Sequence, residues 1–195
     1  MLDDEFAKML GNIEELEEDG EARRLDEDWR KEGRHLQVAG EVNWADTNLT
    51  PVKDQGQCGS CVAFATSTIT EGLISIKTGN DPVRLSEQHL VDCASINATN
   101  FETNYGNYGC SGGWIYKYLN FIIGEGVCPS EAYGAYTATD GTCLHDPEGV
   151  VAQGATRGYI TTNVADIITK LNEGPMPISI SAGNSAFRYY KGGIM

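Results

Sequence analysis

The apolar positions of this chain form several patterned runs separated by polar and glycine-rich stretches. Phe6, Met9, Leu10 and Ile13 recur at helical spacing behind Asp3 and Asp4, which predicts a short amphipathic helix. From Cys61 to about Thr78 a longer run places Ala63, Phe64, Ile69, Leu73, Ile74 and Ile76 on a helix that carries few charges and is therefore expected to be mostly buried, with Gly79-Asn80 as its stop. A second helix is expected to open at Ser86 and Glu87, with Leu90 and Val91 facing inward. Residues 94–113, rich in Asn, Thr, Tyr and Gly, read as a loop, and Trp114 to Ile123 resumes a helical pattern. Pro177-Ile178-Ser179-Ile180-Ser181 instead alternates with the period of a half-buried strand.

Length and composition allow one or two modest cores in 195 residues. The formal charge of −14 leaves no basic stripe to displace counterions from phosphates, so nucleic acid is excluded as a partner. Residues 1–41 hold fourteen of the twenty-eight acids but only six of the fourteen bases, so the acidity is concentrated in a leader. That leader is either a solvated tail or a cover that is later removed. No signal peptide is recognisable at the start, and no apolar run is long enough to span a bilayer. Six cysteines accompany two glycosylation sequons, at Asn48 and Asn97, a combination that suits an oxidising secretory compartment.

The chemistry concentrates at Gln55-x5-Cys61, where a cysteine opens a helix after a glycine-containing loop. The thiolate is the reactive form of cysteine, and free dipoles at a helix N-terminus favour that anion. An amide a few residues upstream can fold back beside the thiol and, with the Cys61 N–H, donate to a developing oxyanion. Cys58-x2-Cys61 also admits a metal half-site or a thioredoxin-like redox pair. The first needs a second Cys or Cys/His pair at ligand spacing and the second a preceding strand, and neither is present. No metal or organic cofactor is implied.

These residues bring the chain into resemblance with the papain and cathepsin family of cysteine peptidases. Pro51-Val52-Lys53-Asp54-Gln55-Gly56-Gln57-Cys58-Gly59-Ser60-Cys61, followed by Ala63-Phe64, is similar to the family's nucleophile motif. Leu85-Ser86-Glu87-Gln88-His89-Leu90-Val91-Asp92-Cys93, Gly109-Cys110-Ser111-Gly112-Gly113 and Tyr190-Lys191-Gly192-Gly193-Ile194 follow in the family's order. Asp4-Glu5-Phe6 with Leu10-Gly11 is similar to the end of its inhibitory propeptide.

The resemblance implies an α+β, two-domain fold, divided as an acidic leader over 1–41 (a possible propeptide remnant), a helical left domain over 42–150 with the nucleophile, and an incomplete β-rich right domain from 151 to 195. It implies Cys61 as nucleophile and Gln55 as oxyanion donor. Gly59, Gly112, Gly113, Trp114 and Ser181 would line the substrate cleft, although the glycines also suit a turn and Trp114 a core position. It pairs Cys58 with Cys110 and Cys93 with Cys143, and leaves Cys128 without a counterpart, as a small buried hydrophobe. Peptide or protein substrates, cystatin-like inhibitors, a monomeric state and a lysosomal or secreted location follow from the same resemblance.

The sequence departs from the family in two places. Val62 stands where the family usually has an aromatic, and the family's histidine and asparagine motifs are both missing up to Met195. His35, His89 and His145 lie in other contexts and read as ordinary surface or capping histidines. The isolated chain is therefore expected to be an inactive fragment of a peptidase. The alternative is a noncatalytic, protein-binding derivative of the fold.

Overall fold

The computed structural model describes residues 42–99, 101–156, 158, 164–180, 182–183, 187 and 189–192. The leader helix over Phe6 to Ile13, the charged stretch after it and Ser181 lie outside the described residues. Among the described residues the regular elements are helical. They are α1 Cys61–Thr78, α2 Glu87–Cys93, a 3₁₀ turn Gly109–Ser111, α3 Ile115–Glu125, the one-turn α4 Ser130–Tyr133 and α5 Val164–Glu173.

Helix α1 is the central element, and α2 and α3 both pack against it. It starts at Cys61 and stops where Gly79 turns left-handed (φ 70°) and returns its N–H to the Ser75 carbonyl at 2.8 Å. Its buried face is rich in hydroxyls, which would be costly if they lacked partners. Thr66 and Thr70 instead donate to the carbonyls four residues back, each at 2.8 Å, and Ser67 donates to the Phe64 carbonyl at 3.0 Å. The helix satisfies its own polar side chains and can be buried with them. Helix α2 is capped by Ser86, whose hydroxyl accepts the His89 N–H at 3.0 Å, and it is buried along its whole length. Helix α3 buries Tyr118, Phe121 and Ile122, the i, i+3, i+4 stripe of an amphipathic helix.

The core joins Ala63, Leu85, Leu90, Val91, Tyr118, Phe121, Ile122 and Val127. Two disulfides fasten the loops around it, Cys58–Cys110 and Cys93–Cys143, while Cys61 and Cys128 stay outside any disulfide. Beneath the nucleophile loop lies a buried charge network. The Lys53 ammonium sits 2.5 Å from carboxylate oxygens of both Glu71 on α1 and Glu87 on α2, with side chains 5 %, 0 % and 1 % exposed. Thr50 and the Leu85 N–H also donate to Glu71, and Ser67 donates to Glu87.

The β-rich character expected of the C-terminal part is not seen among the described residues. No strand occurs among the described residues. There are only single bridges at Leu85–Pro129, Ser95–Asn107 and Val127–Val151. Of the strand expected over Pro177 to Ser181, residues 177–180 carry no regular structure, and no strand partner for them lies among the described residues. In place of strand, α5 presents Val164, Ile167, Ile168 and Leu171 at helical spacing, and the Trp44 indole N–H ties it to the start of the domain through the Leu171 carbonyl at 2.7 Å.

Candidate active site

The site begins with a loop pinned on two sides. Residues 51–60 run into α1, and the Cys58–Cys110 disulfide (Cα–Cα 4.6 Å) joins them to the loop that carries Gly112 and Gly113. A second tie, Gly59 N–H to the Cys110 carbonyl at 2.8 Å, makes the two loops one unit. Gln55 folds back so that its Nε2 donates to the Cys58 carbonyl at 2.8 Å, within the turn that delivers Cys61 to the first position of α1. Gln55, Gly59 and Cys61 are thus brought together locally, and Gly112, Gly113 and Trp114 are held on the adjoining loop. With Cys58 bonded to Cys110, the Cys58-x2-Cys61 spacing is neither a redox pair nor a metal half-site in this structure.

The electrostatics of the thiol oppose one another. Burial pushes the Cys61 thiol up from its ordinary value, while the backbone N–H groups of Val62 and Cys61 hydrogen-bond the sulfur and pull it down. Burial is the larger effect, and the backbone N–H groups at the start of the helix offset only part of it. Beside it lies Tyr118, close enough that the two ionisations are coupled. Its hydroxyl is the one buried side-chain polar atom without a hydrogen-bond partner among the described residues.

The glycines have structural reasons of their own. Gly112 has φ 105°, where a side chain is strained. A Cβ on Gly113 would come within 2.5 Å of Asn107 Oδ1 and 2.9 Å of the Tyr118 ring. Trp114 is half-buried rather than part of the core, and its N–H donates to Asn107 Oδ1 at 3.0 Å. The buried Asn107 amide therefore shapes this rim, a role that nothing in the sequence pattern announced.

Of the three histidines, His35 lies outside the described residues. His89 is not the surface or capping residue its sequence context suggested. It is fully buried, its Nδ1 accepts the Cys128 N–H at 3.0 Å, and its Nε2 lies 3.0 Å from His145 Nδ1. Both ring nitrogens of His89 are spent in the core, so it is not a base for Cys61. Sequence reasoning also missed Tyr136, whose hydroxyl reaches both Gln55 and Ser60 from 81 and 76 residues away. No spacing rule signals such a contact. A groove of about 400 Å³ lined by Leu73, Ile74, Lys77, Ile123 and Ala152 lies at the opposite end of α1 and is no part of this site.

Comparison with known proteins identifies this arrangement. Residues 38–195 match the family described as papain family cysteine protease. The chain is 39% identical over 166 residues to a cathepsin L-like protein of Caenorhabditis elegans, covering 82% of this chain and 46% of that one. It is 37% identical to digestive cysteine proteinase 2 of Homarus americanus, covering 80% and 46%. Among solved structures, a cysteine protease of Carica candamarcensis superposes with a TM-score of 0.67 at 29% identity, covering 79% of this chain and 68% of that chain. The bromelain protease of Ananas comosus gives 0.61 at 34% identity, covering 78% and 66%. Both support a papain-like fold. The chain spans between 33% and 56% of the length of the first curated relatives it matches. By these matches the chain belongs to the papain family of cysteine proteases.

Proposed function

We propose that this chain is the nucleophile-bearing half of a papain-like cysteine endopeptidase. The observation that carries this reading is Cys61 at the first position of α1, with backbone N–H groups on its sulfur and the Gln55 amide folded onto the same turn. Cys61 sulfur attacks the scissile carbonyl, the C–N bond breaks, and an acyl-thioester forms. The thiol proton passes through an imidazole to the leaving amine, and water then releases the acid. Gln55 and the Cys61 N–H bind the carbonyl oxygen as its charge develops. An extended substrate backbone lies along Gly59, Gly112 and Gly113, with Trp114 and Ser181 near the side chain second from the cleaved bond. The imidazole belongs to a β-rich right domain that begins near residue 151, and residues 1–41 are the remnant of a propeptide. In this reading the substrates are peptides or proteins, cystatin-like inhibitors are partners, the protein is a monomer and its compartment is lysosomal or secreted.

The test is turnover of a fluorogenic dipeptide. The 195-residue chain alone is expected to give none, because His89 spends both ring nitrogens in the core and none of the three histidines lies in the family's histidine motif. A chain extended by coding sequence that carries the family's His-Ala and Asn-Ser-Trp-Gly motifs is expected to be active, and Cys61→Ala should abolish that activity. Activity that survives Cys61→Ala would overturn the assignment. An inactive extended chain that still captures protein ligands would favour the noncatalytic, protein-binding reading.

The two sequons are not equivalent. Asn97 and Thr99 are exposed in a turn, whereas Asn48 is half-buried, donates to Ser75 Oγ at 3.0 Å, and shares its sequon with Thr50, whose hydroxyl is bound to Glu71 in the charge network. Secretory expression is expected to yield one glycan, at Asn97. Peptide mapping after enzymatic deglycosylation checks this, and occupancy at Asn48 would contradict it.

A further inference from the structure

A single phenol oxygen closes the turn between the two proposed oxyanion donors, the Gln55 amide and the Cys61 N–H. The Tyr136 hydroxyl donates to the Gln55 carbonyl at 2.9 Å and lies 2.6 Å from the Ser60 hydroxyl. A carbonyl can only accept, so the Tyr136 proton goes to Gln55, and Ser60 must therefore donate to Tyr136. Ser60 is 1 % exposed, and its carbonyl accepts the Phe64 N–H at 3.1 Å where α1 begins. Tyr136 thus ties the start of the turn, at Gln55, to its end, at the residue before Cys61. Inside the turn the Gln55 amide donates to the Cys58 carbonyl at 2.8 Å, and Cys58 is held by its disulfide to Cys110.

The loop that carries Tyr136 is itself clamped. Gln88 of α2 accepts the Thr137 N–H and hydroxyl through Oε1, at 2.9 and 3.1 Å, and its Nε2 donates to the Thr139 carbonyl at 2.8 Å. Ala138, between the two clamped residues, has φ 55°, a left-handed conformation that a residue with a side chain keeps only where its surroundings impose it. The same alanine packs on the turn, since a Cβ on Gly56 would come within 3.3 Å of its own. The Tyr136 ring meets Phe64 of α1 edge-on at 4.9 Å. A strained loop, held on both sides of its strained residue, therefore bears on Gln55 and on the residue after it. We propose that Tyr136 is a positioning residue for Gln55, held in place by Gln88, which sets where the Gln55 amide stands relative to the Cys61 N–H. The inference rests on the reading of Gln55 as oxyanion donor and adds to it a residue 81 positions away.

The experiment is a double-mutant cycle on the extended chain with its His-Ala and Asn-Ser-Trp-Gly motifs, read as kcat and KM for the fluorogenic dipeptide. Tyr136→Phe keeps the ring and removes the hydroxyl. It is expected to lower kcat about threefold or more and to leave KM within about twofold of wild type, because a misplaced oxyanion donor fails the transition state rather than the bound substrate. In a Gln55→Ala background the same change is expected to alter kcat by less than about twofold, since no amide is left to position. Gln88→Met, which releases the Tyr136 loop from α2, is expected to repeat both results, and it keeps the test open should Tyr136→Phe not fold. An unchanged kcat, or equal losses with and without Gln55, would overturn the inference, since a merely structural tyrosine costs activity in both backgrounds. A Gln55→Ala chain as active as wild type would refute Gln55 as the oxyanion donor and the inference with it. Failure of the peptidase reading is seen separately, as an extended wild type that shows no Cys61-dependent turnover, and it removes the inference as well.

Discussion

Lys53→Met is expected to cost about 3–5 kcal/mol of stability, a large part of the ~5–15 kcal/mol that holds a typical domain together. The ammonium lies between Glu71 and Glu87, 2.5 Å from an oxygen of each, in a site that water does not reach. Methionine matches the length of the lysine stem but leaves two buried carboxylates facing one another. The hydrogen bonds that remain from Thr50, Ser67 and the Leu85 N–H are neutral, and the Arg84 guanidinium stands 3.5 Å from Glu87 but is half-exposed. None replaces a full positive charge. Urea unfolding of the wild type, Lys53→Met and Lys53→Met with Glu71→Gln measures this directly. The double variant, with one carboxylate neutralised, is expected to recover a substantial part of the loss. A single-variant loss below about 1 kcal/mol would mean that the ion triad contributes little, as exposed pairs do. Because Lys53 stands two residues before Gln55, the same network fastens the loop that carries the proposed oxyanion donor.

Much of the helical architecture was legible because its signals are local. Gly79 stops α1, Ser86 caps α2, and the apolar stripe of α3 lies within one stretch of chain, so each boundary falls within two residues of where the pattern places it. Helix α5 carries the same kind of stripe, at Val164, Ile167, Ile168 and Leu171, but it buries none of its residues and follows a segment whose resemblance pointed to strands. The sequence reading named no helix there.

What the sequence hid are contacts between distant positions. Helix α1 reads as a sparsely charged, mostly buried run, and Glu71 is itself fully buried in it, paired with a lysine 18 residues earlier. The Gln55-to-Cys61 turn is local and could be read, whereas Tyr136 joins it only through the fold. Tyr136 meets Ser60 directly, and the loop that follows Tyr136 is held by Gln88 and Asp92 of α2, through the Thr139 carbonyl and the Gly141 N–H. Propensity and spacing carry no information about such a path. Asn107, which shapes the glycine rim, is hidden for the same reason.

Acid is expected to loosen the core through His89, and the sign follows from its hydrogen bonds. Nδ1 accepts the Cys128 N–H, so the ring proton sits on Nε2 and is donated to His145 Nδ1. The ring is enclosed by Tyr133, stacked at 4.7 Å, and by Phe121, edge-on at 5.4 Å. A second proton would have to enter on Nδ1, displacing the Cys128 N–H into a site with no other acceptor shown for it. Burial, and then the charge of His145, lower the His89 pKa from 6.5 to about 3. Burial lowers His145 as well, against the pull of Glu125 and Asp146. A histidine whose folded pKa lies below its unfolded value adds stability that is complete above about pH 6.5 and is lost as pH falls toward 3. Between pH 7 and pH 5 the loss from His89 alone should be about 2 kcal/mol. Asp92 works in the opposite direction, since burial raises its pKa and the folded state then takes up a proton more readily than the unfolded one. The effect must therefore be read as a difference. His89→Asn keeps an acceptor for the Cys128 N–H without an ionisable ring, so urea unfolding at both pH values should show the wild type losing about 2 kcal/mol more than the variant. Equal losses would rule out His89 as the acid-sensitive group and leave His145 and the carboxylates to account for any pH dependence.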